Sequence, residues 1–429
     1  MKAFTAQRVQ TPVLLTGLLL VASMDNAHAQ WPQWGGPNRD FKIENAKLAD
    51  QWPNDGPKRL WHRELGVGYS SIVSADGILY TMYRKAPVTT SEYTIALDAK
   101  SGRTIWEHEN AAPLDQPPDP RWGGQGPNST PLIIGDRLYT IGSRSVMHCY
   151  DKNDGKVLWR HDLAAEFKAP VSDTTGYSCS PIAYKDMVIV PMDRTRPEGD
   201  EGQKVEHDKG QMFAAFDGES GKLVWKNLDF KIGFASPILV RYGDRNQLLL
   251  STEQGLVGVN PDDGSLLWSH VGAGFSPSPV WNGADLVFYM SWVDRAIGRT
   301  LTLGMENGKS TAEELWQSRK VTFALATPVQ VGDYLYGATD QAMMAVNMTT
   351  GKRVWVKRGF PTASCIHADG KLIILDEHGK LSLATATPDG LTVHSQCQIT
   401  ERYSLTVPTL VENILYVRDR KHIMALDLS

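Results

Sequence analysis

The sequence predicts an all-β fold, an eight-bladed β-propeller of four-stranded antiparallel blades, and three observations carry that expectation. A phrase first met as ALDAKSGRTIW (96–106) returns as CYDKNDGKVLW (149–159), AFDGESGKLVW (215–225), GVNPDDGSLLW (258–268) and AVNMTTGKRVW (345–355). Ahead of each copy an aromatic residue, a small residue and usually Pro lead into an alternating apolar stretch, as in NSTPLII, YSCSPIA and FASPILV. Between the two signals lies another apolar run, such as ILYTMY or YLYGAT. Four short strands repeated every roughly 40–60 residues mark a propeller blade.

Each unit reads as strand A, a Gly/Asp turn, strand B, a loop, strand C, a Gly turn, and strand D ending in Trp. The units fall at 69–108, 127–161, 177–227, 234–270, 275–317, 324–357, 363–395 and 404–429. Copies ending at Trp316 and near His394 are degraded. The last unit stops at HIMALDLS, a strand C with no strand D, and KRLWHREL (58–65) supplies the missing strand. An N-terminal strand thus closes the ring and removes an exposed edge. Ala96, Asp98, Gly102, Trp106, Trp159, Asp217, Gly221, Trp225, Trp268 and Trp355 are read as scaffold. Trp covers the joint between outer strands, Gly permits positive φ, and Asp accepts hydrogen bonds from the turn backbone.

Before the ring, Lys2 and Arg8 precede the apolar run TPVLLTGLLLVA, which ends in NAHAQ. That pattern predicts a signal peptide over 1–29, an arm over 30–57 and one propeller domain over 58–429. Export to the periplasm or medium is expected, with no transmembrane segment and, since no Cys follows the apolar run, no lipid anchor. The formal charge of −4, with no long basic block, argues against nucleic acid as a partner. Cys149, Cys179, Cys365 and Cys397 lie far apart, and three pairings are open to them.

The spacing of Ala96, Asp98, Gly102 and Trp106, repeated by Ala215, Asp217, Gly221 and Trp225, resembles the tryptophan-docking motif of PQQ-type β-propellers. The segment WPQWGGPNRD (31–40) resembles the leader of exported BamB-like members. The resemblance implies a quinoprotein dehydrogenase-like ring and, through members that support outer-membrane protein assembly, a non-catalytic binding scaffold. The partner expected on that basis is a protein or glycan of the cell envelope, met by a monomer. The alternative is a periplasmic oxidoreductase using PQQ and calcium on an alcohol or sugar. Such enzymes clamp PQQ between a Trp and a vicinal Cys pair, with calcium on carboxylate and amide oxygens. This chain has no adjacent Cys pair, which disfavours PQQ and Ca2+ here.

Short A–B and C–D turns and long B–C and D–A connections place every insertion on one face: 84–92, 109–126, 162–176, 194–210 and 293–299. Ligand or partner contact is expected there. Arg121, Trp122, Tyr177, Arg194, His207, Trp292, Asp294 and Arg295 are the candidate residues of that face. Tyr69, Tyr177, Phe234, Phe275, Phe323, Phe360 and Tyr403 are expected near the channel rim. No nucleophile elbow or zinc-binding helix motif is present, so no catalytic, cofactor-binding or metal-binding residue is assigned. A polysaccharide-cleaving site would need converging carboxylates, for which Asp193 and Asp294 are candidates. GMENGKS (304–310) is one residue short of a phosphate loop and is read as a C–D turn.

Overall fold

The computed structural model describes residues 30–429 apart from 87–88, 114–125, 168–175, 193–212, 228–229, 231, 273, 275–276, 292–295 and 402. The expected signal segment, 1–29, lies outside the described residues. Eight antiparallel sheets form the ring. Blade 1 runs outward through Val73–Ala75, Ile78–Tyr83, Ser91–Asp98 and Thr104–Ala111. Strands B and C of this blade are almost wholly buried because neighbouring blades cover both their faces, whereas strand D alternates toward solvent. Blades 2 to 7 repeat this order. In blade 8, Thr409–Val411, Ile414–Arg418 and His422–Asp427 are completed by Lys58–Glu64, antiparallel to His422–Asp427.

Some expected boundaries move. Strand D of blade 1 continues to Ala111, so residues 109–111 belong to the sheet rather than to an insertion. Strand C of blade 5 begins at Ile297, which shortens the connection expected over 293–299. A short helix, Leu163–Phe167, opens the 162–176 connection and buries Leu163 and Phe167. GMENGKS forms a two-residue hairpin with Asn307 (φ 49°) and Gly308 (φ 74°) at its tip, a type I′ arrangement.

The repeated Trp and Gly meet across blade joints. Trp106 of blade 1 donates from Nε1 to the Lys152 carbonyl of blade 2 at 2.8 Å and lies on Gly155. A Cβ at Gly155 would sit 2.6 Å from that ring, and φ there is +75°, so both space and backbone require glycine. Trp61 on Gly102, Trp159 on Gly221, Trp225 on Gly264 and Trp316 on Gly351 repeat the joint. Three joints depart from it. Trp355 donates Nε1 to the Thr387 carbonyl of blade 7 but lies on no glycine among the described residues. Trp268 turns its Nε1 to Gln247 of its own blade. In blade 7, Ser395 faces Leu383 at the register where Trp106 faces Ala96, and Trp52 of the arm covers it, donating its backbone N–H to Ser395 Oγ at 2.7 Å.

The arm crosses the end of the channel where the short turns lie. Trp31 exchanges backbone hydrogen bonds with Ser74 of blade 1, and the Pro32 carbonyl accepts from Ile133 of blade 2. Arg39 then reaches the Pro181 carbonyl of blade 3, and Lys42–Ile43 adds a parallel strand to the inner edge of blade 7. The innermost strands leave that edge unpaired, so an extended peptide satisfies it by backbone bonds alone.

None of the four cysteines forms a disulfide. His148 on strand C of blade 2 is buried and stacks on Tyr150 with centroids 5.5 Å apart. Burial, reinforced by His108 and Arg160, pushes its pKa down to about 4. The folded value lies below the ordinary one, so the unfolded chain binds more protons in between, and stability is lost as pH falls below about 6.5. Unfolding midpoints at pH 7 and pH 5 are expected to show a loss of about 2 kcal/mol from this residue, which His148→Gln removes.

Candidate functional site

Where strand A enters blades 2 to 6, Ser or Thr stands just before Pro: Thr130, Ser180, Ser236, Ser278 and Thr327. A residue in that place is held extended, and its hydroxyl meets the backbone of the preceding blade. Thr130 N–H donates to Ser180 Oγ at 3.1 Å, Ser180 N–H to Ser236 Oγ at 3.0 Å, Ser236 N–H to Ser278 Oγ at 2.8 Å and Ser278 N–H to Thr327 Oγ1 at 3.2 Å. Thr409 Oγ1 donates to the Ile72 carbonyl between blades 8 and 1. This hydroxyl belt fixes the innermost strands and forms the channel wall. The sequence reading recognised small residues at these positions but not their hydrogen bonds, although the recurrent Ser/Thr-Pro pair was the available signal.

Inside the belt is a cavity of about 250 Å3 that opens on the loop-rich face. Trp34 and Phe41 of the arm form its floor, packed edge to face with centroids 4.8 Å apart. Tyr69, Asn128, Phe234 and Leu325 stand at the mouth. Phe234 is 43% exposed, Leu325 53% and Tyr403 39%. Exposed apolar side chains thus stand over a polar wall.

The rim is held by buried charge. Arg84, 0% exposed in its side chain, pairs with Glu92 at 2.8 Å and donates to the carbonyls of Thr89 and Ala112. The other Glu92 oxygen accepts the Ser143 N–H of blade 2 at 3.0 Å. Two neighbouring B–C connections are thereby tied together. On the other side, Arg418 of blade 8 reaches the Ser70 and Met82 carbonyls of blade 1.

Of the candidate face residues, Arg121, Trp122, Arg194, His207, Trp292, Asp294 and Arg295 lie outside the described residues, as do Asp193 and Phe275. Tyr177 is described and requires correction: it is fully buried in the core and donates its hydroxyl to the Pro191 carbonyl at 2.6 Å, so it is not an exposed residue of that face. Phe323 and Phe360 are likewise buried. Tyr69, Phe234 and Tyr403 are the expected rim aromatics that the fold brings to the mouth.

The described cavity lining supplies hydroxyls, one amide and backbone, with no carboxylate and no cation. Calcium takes carboxylate-rich oxygen sets, and PQQ carries carboxylates that call for cations, so this lining does not fit that pair. Cys365, the thiol in the lining, is pushed up to about 12 by burial and is not a nucleophile near neutral pH. Among the described residues no group of three or more His, Cys, Asp or Glu is placed to hold a metal.

Residues 90–357 match the family model described as outer membrane protein assembly factor BamB. Outer membrane protein assembly factor BamB of Shewanella oneidensis is 19% identical over 302 residues, which cover 68% of this chain and 71% of that protein. Among solved structures, BamB from Moraxella catarrhalis aligns at 15% identity with a TM-score of 0.42, covering 86% of this chain and 99% of that one. A quinohemoprotein alcohol dehydrogenase of Pseudomonas putida aligns at 10% identity with a TM-score of 0.53, over 93% of this chain and 80% of that one. At such identity the likeness is one of fold.

Proposed function

Since the chain belongs to the family described as outer membrane protein assembly factor BamB, we propose that it is a non-catalytic scaffold of the cell envelope that docks a protein partner on the loop-rich mouth of its channel. The observation that carries this reading is the exposed apolar side chains of Phe234, Leu325 and Tyr403 above a channel whose other end the arm crosses. Exposed apolar side chains gathered on one face mark contact surfaces, and aromatic anchors supply most of the affinity of such contacts. The name of the family and of the Shewanella relative points to a partner from the outer-membrane assembly apparatus. An envelope glycan is the lesser candidate, since a shallow rim of this kind offers aromatic stacking but few described polar groups.

The test is co-purification of assembly components from envelope extracts with wild type and with the double variant Phe234→Ser, Tyr403→Ser. Recovery is expected to fall at least about tenfold while the unfolding midpoint stays unchanged, the loss of one or two anchors. Undiminished recovery would exclude the rim as the docking site. Calorimetric titration with PQQ, with and without calcium, addresses the oxidoreductase alternative; tight calcium-dependent binding would replace the scaffold reading.

A further inference from the structure

The arm separates the channel cavity from a second cleft, of about 420 Å3, that lies between residues 33–42 and the inner strands of blades 3 to 6. What the ring presents to that cleft is backbone. Strand A is the inner edge of each sheet, and in blades 2 to 5 the second residue after its Pro is Ile133, Ala183, Leu239 and Trp281. These residues hold one register, opposite Leu138, Val188, Leu248 and Val287 of strand B. Ser74 of blade 1 and His367 of blade 7 stand at the same place, opposite Leu79 and Leu372.

In blades 1, 2 and 7 the arm occupies this place. Ser74 exchanges N–H···O bonds with Trp31 at 2.8 and 3.0 Å, Ile133 donates its N–H to the Pro32 carbonyl at 2.8 Å, and His367 donates to the Phe41 carbonyl at 2.9 Å. The N–H at this register therefore points into the channel, away from strand B. Trp31 and Pro32 are consecutive, so a chain running along the wall pairs with one blade per residue. Ala183, Leu239 and Trp281 make no such bond among the described residues, are partly exposed, and all line the cleft.

Unpaired groups on a sheet edge are the template for an extended peptide. Beside the three positions the lining carries Ile182, Ile238 and Val280, which suit apolar side chains. The facing wall is the arm, with Gln33, Asn38, Asp40 and Lys42, polar side chains suited to the second backbone edge of such a peptide. The cleft volume is of the size that takes small ligands, about 300–1,000 Å3. We infer that this cleft binds a short extended peptide with apolar side chains, which pairs its backbone with Ala183, Leu239 and Trp281 as the arm pairs with blades 1, 2 and 7. The site is at the short-turn end of the channel and does not rest on partner docking at the mouth.

The experiment titrates the purified protein with a blocked tetrapeptide of alternating alanine and valine, and with the same peptide methylated on its backbone nitrogens. It reads hydrogen exchange at individual amides and the unfolding midpoint. Before addition, the amides of Leu239 and Trp281 are expected to exchange faster than those of Ile133 and His367, which the arm holds. The tetrapeptide is expected to slow exchange at Leu239 and Trp281 at least about tenfold and to raise the midpoint with concentration. The methylated peptide, which cannot donate to the edge carbonyls, is expected to do neither. Leu239→Pro removes the channel-facing N–H and no ladder bond, and is expected to weaken the tetrapeptide at least about fivefold. If that variant does not fold, the exchange pattern of the wild type decides alone. Equal responses to the two peptides, no slowing at Leu239 and Trp281 at about 10 mM peptide, or undiminished affinity in Leu239→Pro would overturn the inference.

Discussion

Replacing Glu92 by alanine is expected to cost about 3–5 kcal/mol of folding stability, because it strands the Arg84 guanidinium in the interior without its counter-charge. Both side chains are withdrawn from solvent, 0% and 3% exposed, and the pair joins the B–C connection of blade 1 to the corresponding turn of blade 2. The pair itself need not add net stability, since removing two charges from water offsets most of their attraction. The expected signature is therefore asymmetric. Glu92→Ala and Arg84→Ala are both strongly destabilised, while Arg84→Met combined with Glu92→Leu recovers most of the loss. Urea midpoints of the three variants check this, and single variants as stable as wild type would show that the charges are solvated. Because the connection ends beside the channel mouth, the single variants are also expected to weaken partner recovery.

Trp52→Ala is expected to lower stability by about 3–5 kcal/mol, the range for emptying a buried tryptophan site. Trp52 is 4% exposed and belongs to the same core cluster as the blade 7 strands, where Ser395 stands at the outer-strand register used by tryptophan elsewhere. Its loss opens the joint between blades 7 and 8 and releases the chain leading to Lys58–Glu64, the strand that closes the ring. Limited proteolysis should then cut within 44–57 at concentrations that leave wild type intact. If Trp52→Ala unfolds at the wild-type midpoint and resists cleavage, the arm is an appendage and the joint is stable without it.

The ring was legible in the sequence because its joints use one rare side chain at a fixed spacing. Gly102 and Gly221 were read for their backbone freedom, whereas their second duty, leaving room for Trp61 and Trp159 of the preceding blade, depends on a contact across the joint that linear spacing does not display. The degraded copy near His394 could not be explained from its own residues, since what completes it is Trp52, 343 positions away. The path of the arm was hidden for a different reason: it is held largely by backbone bonds, as at Trp31 with Ser74, and these leave little side-chain pattern. For the rim, Phe234 stands three residues before its Pro and is exposed, while Tyr177 stands four before and is buried. In an extended chain one residue of offset reverses the side-chain direction. Offset alone does not decide, since Phe323 and Tyr403 both stand five before Pro and only Tyr403 is exposed.

The most direct measurement of the account places a photo-crosslinking amino acid in living cells at Phe234 or Tyr403 on the channel mouth, and at Asp136 or Asp333 on the opposite, short-turn face. Docking at the mouth predicts adducts to the same envelope protein from the first pair of positions and none from the second. Adducts confined to Asp136 and Asp333 would contradict it and move the partner to the face that the arm occupies.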